Sequence, residues 1–202
     1  MGAGNGLCAV VLAAGRSTRM QEKNKLLLPW GDGLIVQAAI EALLSASFAA
    51  VVVVVGHQRE QVGQALADYP VRLVHNPAYA QGLSTSIACG VEAVREEVDG
   101  YLFALGDMPR VKPQTIGELC RAFSRGAAGA IALPTRQGRR GNPVVFAGTY
   151  RAELLRLEGD RGAKPLVQKY ADEVIEVGVE DAGILVDVDT PAAYRSVVDA
   201  VE

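Results

Sequence analysis

The chain has 202 residues, half of them hydrophobic and 21% charged, with a formal net charge of -3. That length suits one domain with a sizeable core, the composition excludes a disordered chain, and the slightly acidic balance excludes the basic excess by which nucleic acid is held. Cys8, Cys89 and Cys120 are odd in number, scattered, and form no C-x-x-C pair, which excludes a disulfide framework and a structural zinc site and fits a reducing, cytoplasmic setting.

Residues 2–6, GAGNG, precede the first apolar run and read as a flexible terminus. The start of the chain lacks the charged region of a secretory signal. LCAVVLA, Leu7 to Ala13, is apolar and β-branched throughout, as a strand covered on both faces should be. Leu34 to Ala46 has helical spacing. AAVVVVVG is a second buried strand, far too short to span a bilayer, and no membrane role is expected. REQVGQALADY reads as a helix and VRLVHN as a strand. STSIACGVEAVREE reads as a helix opening on a serine cap. GYLFALGD is a strand ending at Asp107, and KPQTIGELCRAFSR a helix with proline in its first turn.

The second half is less regular. AGAIALPT and NPVVFAG read as strands, and GTYRAELLRLEG and RGAKPLVQKYA as helices. DEVIEVGV and GILVDVD read as strands before a closing helix, TPAAYRSVVDAV. The alternation predicts an α/β protein, a Rossmann-like three-layer α/β/α sandwich with a mostly parallel sheet. No repeat or linker interrupts it, so one domain over 1–202 is expected.

Ligands of open α/β sheets bind at the carboxyl ends of the strands. The first such end is LAAGRSTRMQEKNK, Leu12 to Lys25. Its small residues Ala13, Ala14 and Gly15 let a ligand approach the backbone. Arg16, Arg19, Lys23 and Lys25 offer charge to phosphates. Neither the P-loop pattern nor the dinucleotide fingerprint G-x-G-x-x-G is present after the strand.

LAAGRSTRM followed by NK resembles the signature loop of nucleotidyltransferases that activate sugars and cofactors with a nucleoside triphosphate. The continuation NKLLLPWGDG is most similar to molybdenum cofactor cytidylyltransferases and their guanylyltransferase relatives. VVVVVGH, NPAYAQGLSTSI, LGDMPRV, RRGNPVVF, GDRGAKPLV and VDVDTPAAY extend the resemblance in order along nearly the whole chain. It implies a nucleotide-diphospho-sugar-transferase-like fold, with a nucleotide-binding half at about 1–110 and an acceptor-binding half at about 111–202.

The resemblance also implies roles. Leu12, Ala13, Ala14, Gly15 and Arg16 wrap the nucleotide, with Arg19 and Lys25 on the triphosphate. Gln81, Gly82 and Ser84 lie near base and ribose, and Gly56 and Asn76 join the nucleotide-binding set. Arg19, Lys25 and Asp107 form the catalytic set. In the family a double alanine in the first loop goes with CTP and a double glycine with GTP, so Ala13-Ala14 implies CTP. Asp107 is a Mg²⁺ ligand, with Asp189 first and Asp187 second as its partners. Asp107 also suits a turn or a helix cap, and Asp189 the cap of the helix that follows it. Arg139, Arg140, Asn142 and Lys164, with Asp160 and Arg161 beside them, meet the acceptor. Related cytidylyltransferases often carry histidine where Asn142 stands. His57 suits a turn as well as a site.

The implied reaction joins CMP from CTP to the phosphate of molybdopterin, with Mg²⁺ and release of pyrophosphate. The product is the dinucleotide of molybdenum hydroxylases, to be handed to an apo-hydroxylase. Alternatives keep the fold: a guanylyltransferase, a cytidylyltransferase with another phosphorylated acceptor, a non-catalytic cofactor carrier, or an oxidoreductase.

Overall fold

The computed structural model describes residues 6–20, 23–126 and 130–198. The expected flexible residues 2–5, the start of AGAIALPT and the end of the closing helix fall outside them. Strand β1 is Leu7–Ala13, followed by a two-residue hairpin pair, β2 Pro29–Trp30 and β3 Gly33–Leu34, which the sequence pattern does not signal. Helix α1, Ile35–Leu44, leads to β4, Ala50–Val55. Helix α2, Arg59–Ala65, leads to β5, Arg72–His75, and α3, Leu83–Ala93, to β6, Gly100–Leu105. Helix α4, Pro113–Arg125, precedes β7 Ile131–Arg136, β8 Arg139–Arg140 and β9 Val144–Ala147. Then come α5 Arg151–Leu155, α6 Lys164–Lys169, β10 Val174–Gly178 and α7 Pro191–Val198.

One sheet has the order β10-β7-β9-β6-β1-β4-β5, with β8 paired to β7. Strands β6, β1, β4 and β5 pair in parallel, β10 runs parallel to β7, and β9 is antiparallel to both β6 and β7. Successive side chains of a strand point to opposite faces, and in β1 both faces are covered. Leu7, Ala9, Val11 and Ala13 pack with buried residues of α1, α2 and α4, such as Ile40, Val62 and Leu119. Cys8, Val10 and Leu12 pack with Ile87 and Val91 of α3, Leu154 of α5 and Leu166 of α6. A strand covered on both sides needs no polar alternation, which is why its whole length is apolar. The topology leaves the carboxyl ends of β1, β4, β5 and β6 along one rim.

Three expectations are corrected. GILVDVD is no strand: Ala182–Leu185 wind a 3₁₀ turn and Val186 to Asp189 run on without a partner strand. The Asp181 side chain accepts from Gly183 N and closes that turn. Ile184 and Val188 are buried by packing, so an apolar run imitated a ladder. Ser84 does not cap α3. The cap is Gly82, whose φ of 121° suits glycine alone, and Ser84 sits inside the first turn. Nor does Asp189 cap α7, since Thr190 Oγ1 accepts from Ala193 N at 3.1 Å. RQGRR forms a hairpin, with Gln137 and Gly138 both at positive φ in the turn between β7 and β8.

Candidate functional site

The basic loop after β1 is pinned at its ends and open in its middle. Ser17 takes a left-handed φ of 52°. Its carbonyl accepts from Met20 N at 2.8 Å and its hydroxyl from Lys25 N at 3.2 Å. Met20 and Leu26 are buried and anchor the segment, while Gly15, Arg16 and Arg19 stay exposed. Asn24 Oδ1 accepts from Leu26 N, opening a 3₁₀ turn that starts at Lys25.

Across from this loop stands a cluster of three carboxylates. Asp107, Asp187 and Asp189 each bring one oxygen within 4.8 Å of the other two. Lys25 Nζ donates to Asp107 and, at 2.5 Å, to Asp189 Oδ1, and Arg19 Nη2 donates to Asp189 Oδ2 at 2.6 Å. Lys25 and Asp107 keep 14% and 13% of their side-chain surface, against 66% for Arg19. Burial alone would lower the Lys25 pKa, but the Asp107 charge and hydrogen bonds to both aspartates outweigh it and raise it. Asp187 titrates above the ordinary range, through partial desolvation first and then the charges of Asp189 and Asp107. Burial would raise Asp189 too, yet the bond and charge of Lys25, then Arg19, hold it below its ordinary value. Three carboxylates converging on a point that already attracts an ammonium form the oxygen set a small hard dication takes.

Two cavities open beside the cluster. The larger, of about 700 Å³, is lined by Leu12, Ala13, Ala14, Gly15, Arg16, Arg19, Lys25, Gln81, Gly82 and Asp107 among the expected residues, together with Lys164, Asp187 and Asp160. The smaller, of about 420 Å³, is lined by Arg139, Arg140, Asn142 and Lys164 over an apolar floor that includes Met108, Leu133, Val167 and Ile184. Leu105, Lys164 and Asp187 belong to both walls. Arg140 is partly committed to Glu176, with Nε to Oε1 at 2.7 Å.

Gly56, Asn76 and Ser84 are not brought into the larger cavity. Gly56 packs behind it, where a Cβ would lie 2.7 Å from Tyr79 and 2.9 Å from the Ala14 methyl. Asn76 is buried and spends its amide internally: Nδ2 donates to Thr85 Oγ1 and Ser86 Oγ, and Oδ1 accepts from Ala78 N. Ser84 is fully buried, and its N donates to Gly159 O at 3.2 Å. His57 N donates to Ala14 O, and the His57 ring stands 6.3 Å from that of Tyr79. Asp189 lies outside both linings but is tied to Lys25 and Arg19. Asp160 Oδ1 accepts from Leu83 N at 3.0 Å, so GDRGAK closes on the start of α3.

Tyr79, Ser86 and Gln168 also line the cavities, and sequence reasoning missed them. Ser86 lies four residues beyond Gly82, and Gln168 four beyond Lys164, so in each case a helical turn from an expected residue would have found it. Tyr79 carried no such signal.

The model of the MobA-like NTP transferase domain matches residues 9–174. The chain is 31% identical over 186 residues to the molybdenum cofactor cytidylyltransferase of Escherichia coli K12, covering 90% of each chain. It is 30% identical over 186 residues to the nicotine blue oxidoreductase of Paenarthrobacter nicotinovorans, covering 90% of this chain and 91% of that one. Among solved structures, Rv0371c of Mycobacterium tuberculosis is 30% identical with a TM-score of 0.84, covering 96% of this chain and 98% of that one. The same protein complexed with manganese gives a TM-score of 0.81. The α/β sandwich expected from the alternation of strands and helices is the fold these relatives share. Among the described residues no helix is long and apolar enough to cross a membrane. The match takes in the first loop, Asp107 and most of the lining of both cavities, and by it the chain belongs to the MobA-like NTP transferase family.

Proposed function

We propose that the chain transfers CMP from CTP to the terminal phosphate of a molybdopterin cofactor and releases pyrophosphate. The observation that carries this reading is the shared wall. A cationic cavity and a partly apolar one meet at Leu105, Lys164 and Asp187, beside three carboxylates. The name of the E. coli relative supports the choice of substrates.

The nucleotide takes the larger cavity. Leu12, Ala13, Ala14 and Gly15 lie against it, Arg16, Arg19 and Lys25 hold the triphosphate, and Gln81 and Gly82 face base and ribose. Ala13-Ala14 marks CTP by the family pattern. The acceptor takes the smaller cavity, its body on the apolar floor and its phosphate toward Arg139, Arg140, Asn142 and Lys164. Asp107, Asp187 and Asp189 would hold Mg²⁺, and a manganese complex exists for a relative. Bound there, a dication neutralises phosphate charge.

The reaction brings one anion onto another. A bond forms between an acceptor phosphate oxygen and the α-phosphorus, and the bond to the β-phosphate oxygen breaks. Orientation and charge neutralisation therefore dominate. Lys164, on the shared wall, screens the approaching acceptor. Arg19 and Lys25 screen the departing pyrophosphate. The phosphate nucleophile is already ionised near neutral pH, so no side chain has to take its proton, and His57 is free to support the first loop through its backbone.

The test is pyrophosphate release from each of the four nucleoside triphosphates, with Mg²⁺ or Mn²⁺ and molybdenum-loaded molybdopterin. Release with CTP alone is expected. Release with GTP alone moves the chain to the sister activity. The likeness to nicotine blue oxidoreductase supplies a second reading. NADH or NADPH consumption without pyrophosphate release would establish it in place of the first.

A further inference from the structure

Asp107 and the pair Asp187 and Asp189 come from segments far apart in the chain. The second segment has one 3₁₀ turn and pairs with no strand, so no ladder sets where its carboxylates stand. Packing of Ile184 and Val188 and a bond from Asn142 N to Ile184 O at 3.0 Å hold its middle, and its start is held by a buried side chain that lines neither cavity. Asp181, only 5% exposed, accepts from Lys112 N and from Thr115 Oγ1 through Oδ2, both at 2.8 Å, and from Gly183 N through Oδ1 at 2.8 Å. Lys112 is the cap of α4 and provides no side-chain acceptor there. Asp181 supplies one from a distant segment, where a negative charge is also favoured. The join is tight: a Cβ on Gly183 would stand 2.1 Å from Arg110 O. At its far end Val188 N donates to Asp107 O at 3.0 Å.

We infer that Asp181 is a positioning residue for divalent-cation binding: by clamping residues 181–189 onto Asp107 to Thr115 it sets Asp187 and Asp189 against Asp107. This rests on the reading of those three carboxylates as a metal site. A carboxylate that only stabilised the fold would contribute to melting temperature and nothing else. One that orients ligands governs affinity, typically by about tenfold or more when removed.

The experiment is Mn²⁺ binding to the full chain without nucleotide, followed by the electron paramagnetic resonance signal of free Mn²⁺. The parent is compared with Asp181→Asn, Thr115→Val, Asp107→Asn, and Val91→Ala as a core-weakened control on α3, packed on the other face of the sheet from Leu26 and α4. Asp181→Asn is expected to raise the dissociation constant about tenfold. Thr115→Val, close in volume, should shift it the same way by less, and it decides the matter should Asp181→Asn not fold. Asp107→Asn should lose binding, and Val91→Ala should match the parent. The inference is overturned if both clamp variants bind like the parent while Asp107→Asn does not, or if Val91→Ala weakens binding as much as Asp181→Asn. A parent chain that binds no Mn²⁺ overturns the metal reading and this inference together.

Discussion

Replacing Lys25 by methionine keeps most of the length of the side chain and removes its charge. The ammonium bridges Asp107 and Asp189, so the variant leaves carboxylate oxygens within 4.8 Å of one another with one cation fewer. At an effective dielectric of about 20 a pair of like charges at that distance repels by about 3.5 kcal/mol. Arg19 stays on Asp189, though its exposure makes it a weak compensator, and protonation of one carboxyl limits the rest. The net loss is about 2 to 3 kcal/mol, or about 4 to 12 °C in melting temperature for a chain of this size. Thermal unfolding in EDTA, read by circular dichroism, should show that drop. Adding Mn²⁺ at about 100 times its dissociation constant should return about 2.7 kcal/mol. A variant as stable as the parent in EDTA would refute the electrostatic argument. One that is weakened but not restored by Mn²⁺ would show that Lys25 does not share its place with a metal.

Gly56→Ala drives a methyl toward Tyr79 and Ala14, and overpacking of this kind costs about 1 to 3 kcal/mol. Melting temperature should fall and the KM for the nucleotide should rise, and an unchanged KM would remove Gly56 from the support of the first loop. Asn76→Ala leaves Ala78 N without its acceptor and takes a donor from the Thr85 and Ser86 hydroxyls, a loss of about 1 to 3 kcal/mol. Denaturant unfolding checks it, and full stability with a raised KM alone would mean that Asn76 faces the ligand. Glu96 is held down to about 2 by its hydrogen bonds with Arg72, against an ordinary value of 4.5. A depressed carboxyl stabilises the fold above its unfolded pKa, and that share is lost as pH falls through the folded one. The melting-temperature gap between the parent and Glu96→Gln should therefore be constant from pH 7 to about 5 and close between about 4.5 and 2. A gap that widens on acidification would contradict the pairing.

How much could be read from the sequence depends on how many alternatives each pattern admits. LCAVVLA has one: an all-apolar, β-branched run bounded by glycine and a small-residue loop is a strand buried on both faces. A cluster of cations after such a strand admits two, a solvated crossover or a cavity wall, and the fold sets Arg16, Arg19 and Lys25 on the wall of the larger cavity. GILVDVD admits two, since apolar side chains can be buried by a ladder or by packing, and the choice fell to Asp181 and its bond to Gly183 N. Strand-end polar residues carry the same ambiguity. Asn76 and Gln81 look alike in the chain. Only the fold turns one toward its neighbours' hydroxyls and the other toward the cavity. Tyr79 had no signal, for its place depends on the gap that Gly56 leaves behind it.

The shared wall of the two cavities has a consequence for turnover. A dinucleotide made there is longer than either substrate and occupies both chambers at once, so it keeps contacts that CTP and the acceptor each make only in part. Both substrates must be present together for the bond to form, and the finished molecule must let go of both ends before the next round. Under the proposed transfer, a dinucleotide spanning both chambers is expected to inhibit by competing with each substrate in its own chamber, which product-inhibition kinetics against CTP and against the acceptor check.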